Sequence, residues 1–239
     1  MSLIDVHSHI LSGMDDGAQD PGETLQLLTI LKEQGVTDVI ATPHFSPSED
    51  SINEFWSKLT ESKRELRRVW EGADLPNIYF GCEIFYSYGL GGLEGIKELT
   101  IENTKRVLIE FGIIRFDSMI IKDLIRIRED RGIIPIIAHI ERYKYFKGYD
   151  KLLELVKNGY CEAQVNASSV VDNAFTKVAH KLIKKGYVSY IGSDCHSPVH
   201  RPPKIAEAYK IITEKFGRST ADALKRNGEK FLMEIKESR

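Results

Sequence analysis

Cysteine is scarce. Cys82, Cys161 and Cys195 are the three in 239 residues, odd in number and far apart. That argues against a disulfide framework and fits a reducing compartment. No apolar run is long enough for a transmembrane helix, and no charged segment followed by an apolar one opens the chain. Direct membrane insertion is therefore not expected, and a cytoplasmic location is. An excess of charge of either sign is missing too, since 33 Lys+Arg against 35 Asp+Glu leave a net charge of −2. No basic patch or tail points to nucleic acid, and no block of like charge points to a disordered arm. Linkers, low-complexity stretches and repeated sequence motifs are also lacking, which leaves one domain over residues 1–239 with room for a sizeable core. Nothing in the sequence sets an oligomeric state.

What is present is an end-to-end alternation of strand and helix signals. Apolar, β-branched runs predict strands at 3–6, 36–42, 77–82, 106–109, 133–138, 161–165 and 187–191. Between them lie helix signals. Asp20-Pro21-Gly22-Glu23 offers an N-cap, a proline at the first helical position and an acid in the first turn. Ser51 with Glu54 predicts a capped helix to about Glu71, and Asp117 can cap another. Further helices are expected at 149–158 and 169–185, then two more, with Ser219 as the expected cap of the last. Ile84 to Thr104, rich in glycine and tyrosine, reads as a loop over one end of the fold. Seven β/α units in a chain of this length predict a closed parallel barrel.

Polar residues gather at one place in that pattern. His7 and His9 end the first strand, where side chains two apart point the same way and can converge on one ion. His44, Glu83, Glu110, His139, Asp194 and His196 also fall at or just beyond predicted strand ends, and Asp16 lies in the first loop. In a parallel barrel those ends share one face, the face that carries active sites. Five of the seven histidines belong to this set; His180, in a predicted helix, and His200, in a loop, do not. So many imidazoles and carboxylates would repel or go unpaired without cations. The ligand mix suits zinc, manganese or iron, and nine side chains are enough for two or three ions. Clustered ions of this kind supply an attacking hydroxide and clamp phosphoryl oxygens.

His7-x-His9, Asp16, Thr42-Pro43-His44, Glu83, Glu110, His139 and Asp194-x-His196 together resemble the motifs of the PHP (polymerase and histidinol phosphatase) superfamily. Asp5-Val6-His7-Ser8-His9-Ile10-Leu11, Met14-Asp15-Asp16-Gly17 and Ile40-Ala41-Thr42-Pro43-His44 are most similar to its manganese-dependent protein tyrosine phosphatases of bacterial capsule and exopolysaccharide operons. The resemblance implies an α/β fold, a distorted (β/α)7 TIM-like barrel, with three divalent metals, manganese first and iron or zinc as substitutes. It implies His7, His9, Glu83 and Asp194 on one ion; Glu83, Glu110 and His139 on a second; Asp16, His44 and His196 on a third. Asp16 is preferred over Asp15. Arg142 and Arg201, a few residues past ligand motifs, are implied to bind phosphate, for which a guanidinium fork is suited. The implied substrate is a phosphotyrosyl protein, a membrane-linked tyrosine autokinase. A histidinol-phosphate phosphatase, or a metal-stabilised scaffold without activity, are the alternatives.

Cys195 to Arg201 also has the Cys-x5-Arg spacing of cysteine-dependent tyrosine phosphatases. The intervening His-Ser-Pro-Val-His has no glycine, its proline removes a backbone donor, and Asp194 disfavours a thiolate. Cys82 and Cys161 read as core residues. Tyr86 and Tyr88 could stack on a substrate ring, and Asp5 could orient a ligand.

Overall fold

The structure is a computed structural model that describes residues 2–70, 72, 74–112 and 115–238. Met1, Glu71 and Arg239, three expected element or domain ends, lie outside the described residues. The first half runs β1 (Leu3–Ser8), α1 (Pro21–Glu33), β2 (Val36–Ala41), β3 (His44–Phe45), α2 (Ile52–Trp70), β4 (Asn77–Phe80), β5 (Glu83–Phe85) and β6 (Arg106–Glu110). The second half runs α3 (Ser118–Glu129), β7 (Ile134–Ile137), α4 (Tyr149–Lys157), β8 (Glu162–Asn166), α5 (Ala167–Val171), α6 (Thr176–Lys184), β9 (Tyr190–Gly192), α7 (Ile205–Phe216) and α8 (Arg218–Glu237). Three caps act as their sequences predict. Asp20 accepts from the N–H of Gly22 and Glu23, and Asp117 from those of Met119 and Ile120. Ser51 Oγ accepts from Glu54 N and donates to Glu54 Oε2, so the cap half of the expected box forms and the glutamate meets the hydroxyl.

Every strand pairing is parallel. The orders are β1-β2-β4 and β3-β5-β6-β7-β8-β9. The two sheets are one wall with two breaks. Pro43, which has no N–H, interrupts the stave formed by β2 and β3, and Gly81-Cys82 interrupts that of β4 and β5. Hydrogen bonds from Gly81 N to Ala41 O and from Glu83 N to Pro43 O, both 2.9 Å, carry the ladder across the gaps. Counted this way the wall has the seven staves that the sequence predicts. Asp194 N to His7 O and His9 N to Cys195 O, at 2.8 and 2.9 Å, stitch the last stave to the first.

Alternation along the strands sorts the core. Val107, Ile109, Ile137, Ala163 and Val165 face outward into the helical layer. Ile4, Val6, Ile40, Leu108 and Ile136 face inward and meet Phe231, Leu232 and Ile235 of α8, which plugs the lower end. This apolar plug leaves the opposite, C-terminal end of the barrel for polar groups.

Two helical expectations are corrected. The helix predicted over 169–185 is broken into α5 and α6. Asn173 accepts from Phe175 N and donates to Ser169 Oγ, local bonds that compete with the helix at that turn. Ser219 does not cap α8. Gly217, at φ 88°, is the cap residue, and Ser219 sits inside the helix.

Candidate metal centre

All nine expected ligand residues converge at the C-terminal mouth. His7, near the end of β1 where its register with β2 shifts, and His9, just beyond the strand, point together, and their Nε2 atoms lie 3.1 Å apart. Glu83 Oε2 is 3.3 Å from each of these nitrogens, and Asp194 Oδ1 is 3.5 Å from each. On one side, His139 Nε2 lies 3.1 Å from Glu83 Oε1 and 3.4 Å from Glu110 Oε1. On the other, Asp16 Oδ1 lies 3.5 Å from His44 Nε2 and 3.4 Å from His196 Nε2. Glu83 touches both sides, since its Oε2 is also 3.2 Å from His44 Nδ1.

Electrostatics make the cluster a poor resting place without cations. Glu83 is fully buried, and its Oε2 has no hydrogen bond. Burial favours the neutral acid, but the charge of His7 and the hydrogen bond from His139 outweigh it and hold Glu83 well below the usual carboxylate range. Asp194 is depressed in the same way, burial being overcome by His7 and His139. Burial opposes charge on His9 and His139, yet the carboxylates of Asp15 and Glu83 raise His9 to about 10, and those of Glu110 and Glu83 raise His139 to about 9. Burial and the nearby His9 and Arg201 push His196 down to about 4. Protons on imidazoles thus stand where cations would, and the facing nitrogens and orphaned carboxylate oxygen suit divalent ions.

Asp15 and Asp16 divide. Asp15 Oδ2 accepts from His9 Nδ1 at 2.7 Å and from His44 N at 2.9 Å, and Oδ1 accepts from Gly17 N at 2.9 Å. Burial would raise its pKa, but the His9 bond and charge lower it to about 2. Gly17 is needed there, because a Cβ would lie 2.2 Å from His9 O. Asp16 is 75% exposed and reaches the nitrogens of His44 and His196. Asp16→Ala should therefore lose more phosphatase turnover than Asp15→Ala. Asp15→Ala should lose more thermal stability, by about 1–3 kcal/mol for stranded buried donors. Equal melting curves with the greater activity loss at Asp15 would reverse the two roles.

Arg142 and Arg201 both reach Asp194 Oδ2, Arg142 Nη2 at 2.8 Å and Arg201 through its own Nη2. Arg201 Nη1 is also 3.2 Å from His196 Nε2. Sequence reasoning missed the residues of β8. Gln164 Oε1 accepts from His139 N at 2.7 Å and lies 3.1 Å from His7 Nδ1, which leaves His7 Nε2 facing the cluster. Gln164 Nε2 donates to Asn166 Oδ1, and Asn166 Nδ2 donates to Asp194 Oδ2 at 2.6 Å. His139 and Asp194 have φ of 30° and 52°, rare for non-glycine residues, and these amides hold both. The signal that could have found them is alternation: Glu162, Gln164 and Asn166 take every second place of a strand whose other face is Ala163 and Val165. Tyr143 OH lies 3.1 Å from His139 Nδ1. Asp5 does not reach a ligand ring; it accepts from Ser193 N at 2.7 Å and so ties β1 to the turn before Asp194.

Cys195 sits between two of these residues but is fully buried, and burial, with Asp5 and Asp194 adding, pushes its thiol far above the usual range. Cys195→Ser should retain most turnover, and iodoacetamide should not inhibit the native protein. Loss of activity in the serine variant with metal content intact would assign Cys195 a chemical role. Cys82 and Cys161 are buried core residues.

A parallel barrel with this His, Asp and Glu cluster at its mouth defines the class, a PHP-type fold with a candidate metal centre. The family model for capsular polysaccharide synthesis, CpsB/CapC, matches residues 3–233, and the chain belongs to that family. It is 34% identical over 239 residues to tyrosine-protein phosphatase CpsB of Streptococcus pneumoniae, spanning 93% of this chain and 94% of the relative. To CpsB of Streptococcus agalactiae it is 32% identical over 236 residues, with the same coverage. Among solved structures it resembles one from work on Bacillus subtilis YwqE and Streptococcus pneumoniae CpsB, described as unique metal-dependent tyrosine phosphatases. The TM-score is 0.82, with 24% identity over 95% of this chain and 93% of that one, a likeness of fold.

Proposed function

We propose that this chain is a metal-dependent phosphomonoesterase that hydrolyses phosphotyrosine in proteins. The observation that carries the reading is the convergence, within this family, of five imidazoles and four carboxylates on one barrel mouth. We assign His7, His9, Glu83 and Asp194 to one ion, Glu83, Glu110 and His139 to a second, and Asp16, His44 and His196 to a third. Manganese is the preferred metal, with iron or zinc as substitutes. When bound, such ions activate water as a nucleophile and bind the phosphoryl oxygens.

The chain's own residues supply the rest. Glu83 bridges the two halves of the cluster and fixes their spacing. Gln164, through His7 Nδ1, sets the tautomer that presents Nε2 inward. Arg142 and Arg201 turn from Asp194 to the phosphoryl group and balance the charge that grows on its oxygens. The phenolate is stable enough to leave without a general acid. The whole chain serves as one catalytic domain acting in the cytoplasm. Its substrate is a membrane-linked tyrosine autokinase of capsule or exopolysaccharide synthesis. Among the described residues no helix is long and apolar enough to cross a membrane.

Metal analysis combined with turnover of a phosphotyrosyl peptide and of histidinol phosphate on one preparation tests the reading. Turnover of the peptide, lost on chelation and restored by manganese, is the expected result. Preference for histidinol phosphate would make this a small-molecule phosphatase. Bound metal with no turnover of either would make it a scaffold.

A further inference from the structure

The mouth of the barrel continues past the ligand cluster into a cleft of about 460 Å³. His44 and Glu110 line it, so the cleft and the cluster share a wall. Its apolar lining includes Met14 and Phe85, and its outer residues include Glu49 and Asp50.

Phe85 is placed by the strand that carries Glu83. The two are separated by one residue in β5 and lie on one face of it. Across the β5–β6 pairing, Phe85 is in register with Glu110. Its ring lies so close over Gly112 that a Cβ there would come within 2.8 Å of Phe85 Cζ. The ring is thus held from behind, yet 41% of the residue is exposed. Met14 packs against the core, and its thioether is a soft, polarisable surface for an aromatic ring. Tyr86 and Tyr88, the aromatics that the sequence offers for stacking, are committed elsewhere. Tyr86 is buried with its hydroxyl on Asp123, and Tyr88 donates to Asp117.

The cleft has a sign of charge as well. Among the described residues neither lysine nor arginine lines it. Asp50 is engaged by Ser46 N and has Lys58 Nζ at 4.0 Å. Glu49 is exposed and forms no ion pair among the described residues. A chain entering here meets an unbalanced carboxylate.

Resting on the reading above, we propose that this cleft is an aryl subsite for a basic phosphotyrosyl segment. The tyrosyl ring lies between Phe85 and Met14 with its phosphate toward the metal centre, and Glu49 faces a lysine or arginine next to the phosphotyrosine. A flat apolar ring suits a cleft lined by a phenyl ring and a thioether, and a flanking cation is attracted where a flanking carboxylate is repelled.

The test uses the metal-loaded protein and three phosphotyrosyl peptides of equal length with Lys, Ala or Glu beside the tyrosine, and follows inhibition by inorganic phosphate alongside. Phe85→Ala should lower kcat/KM on all three about tenfold, mostly through KM, because one covered face of the ring is lost. Phe85→Leu and Met14→Ala should fall between, and they keep the test open if the alanine variant folds poorly. The inhibition constant of inorganic phosphate, which has no ring, should not move in any of them. The wild-type protein should prefer the Lys over the Glu peptide about fivefold, less as salt is raised. Glu49→Lys should reverse that preference.

An unchanged KM in the Phe85 and Met14 variants, or a parallel change in phosphate inhibition, overturns the ring site. A Lys preference that is absent, or that survives Glu49→Lys, overturns the charge assignment. In each of those cases hydrolysis of the peptides still stands. A metal-loaded protein that hydrolyses none of them fails at the broader reading instead.

Discussion

Glu83→Ala should strip the protein of bound metal and lower phosphotyrosine turnover by at least about a thousandfold, in keeping with the several kcal/mol that metal catalysis supplies. The reason is geometric. Glu83 is fully buried and its two oxygens lie within 3.3 Å of nitrogens on His7, His9, His44 and His139. Alanine removes the group common to both halves of the cluster and leaves four rings without the carboxylate they share. Glu83→Gln keeps the shape and removes the charge, so it should fold more normally yet share most of the metal loss. His9→Ala and Asp194→Ala should follow the same course, because each faces the same shared centre. Metal-to-protein ratios, turnover and melting curves on one set of preparations check this. Glu83→Ala with full metal content would remove Glu83 from the ligand set.

Arg142→Ala and Arg201→Ala should lower kcat/KM tenfold to a thousandfold while metal content holds. That range corresponds to the loss of one or two charge-assisted contacts of about 1.5–3 kcal/mol each, made stronger as charge grows in the transition state. Both side chains are about one-third exposed and converge on Asp194 Oδ2, which Asn166 also holds. Truncating either arginine therefore leaves Asp194 with hydrogen-bond donors. The backbone of Arg201 has a separate task, since its carbonyl accepts from His196 N at 3.2 Å, and alanine preserves it. Lysine should rescue in part, lacking the fork, and inhibition by free phosphate should weaken in step with the loss. A variant that loses its metals would show instead that the arginine supports Asp194. One with full efficiency and unchanged phosphate inhibition would take the arginine out of the site.

Strand ends were the readable part of the chain. Histidines and acids placed just past apolar runs are visible without coordinates, and all nine meet. Asp20, Asp117 and Ser51 were readable for the same reason, as local chemistry within one turn. What depends on distant neighbours was hidden. The break in the stave of β4 and β5 falls at Gly81, where a Cβ would lie 2.6 Å from Ile101 Cγ1, twenty residues away. The division of Asp15 from Asp16 rests on which rings each meets, His9 for Asp15 and His44 with His196 for Asp16, and adjacent acids look alike in sequence. That Phe85 is exposed toward the cleft while Tyr86 is buried depends on strand phase, since a shift of one residue exchanges the faces of a strand. Gln164 and Asn166 are hard to single out because neutral amides bind metals poorly and resemble strand filler, and only their period-2 placement marks them.

Strand β8 has a practical meaning for anyone who would transplant this centre. It contributes none of the nine imidazoles and carboxylates, so a design that copies ligands alone would discard it. Yet it lies between β7 and β9, whose following residues His139 and Asp194 take backbone shapes that few non-glycine residues adopt. A host barrel given the ligands and an ordinary Val or Ile in place of Gln164 and Asn166 would let both relax to common angles and turn their side chains away. Gly192 must travel as well, since a Cβ there would lie 2.6 Å from His7 Cβ and 2.9 Å from Gln164 Nε2. The portable unit is therefore the whole seven-stave wall, because His44, Glu83 and Glu110 come from β3, β5 and β6 while β8 holds the ends of its neighbours, and a library varied only at the ligand positions would leave that support out of the search.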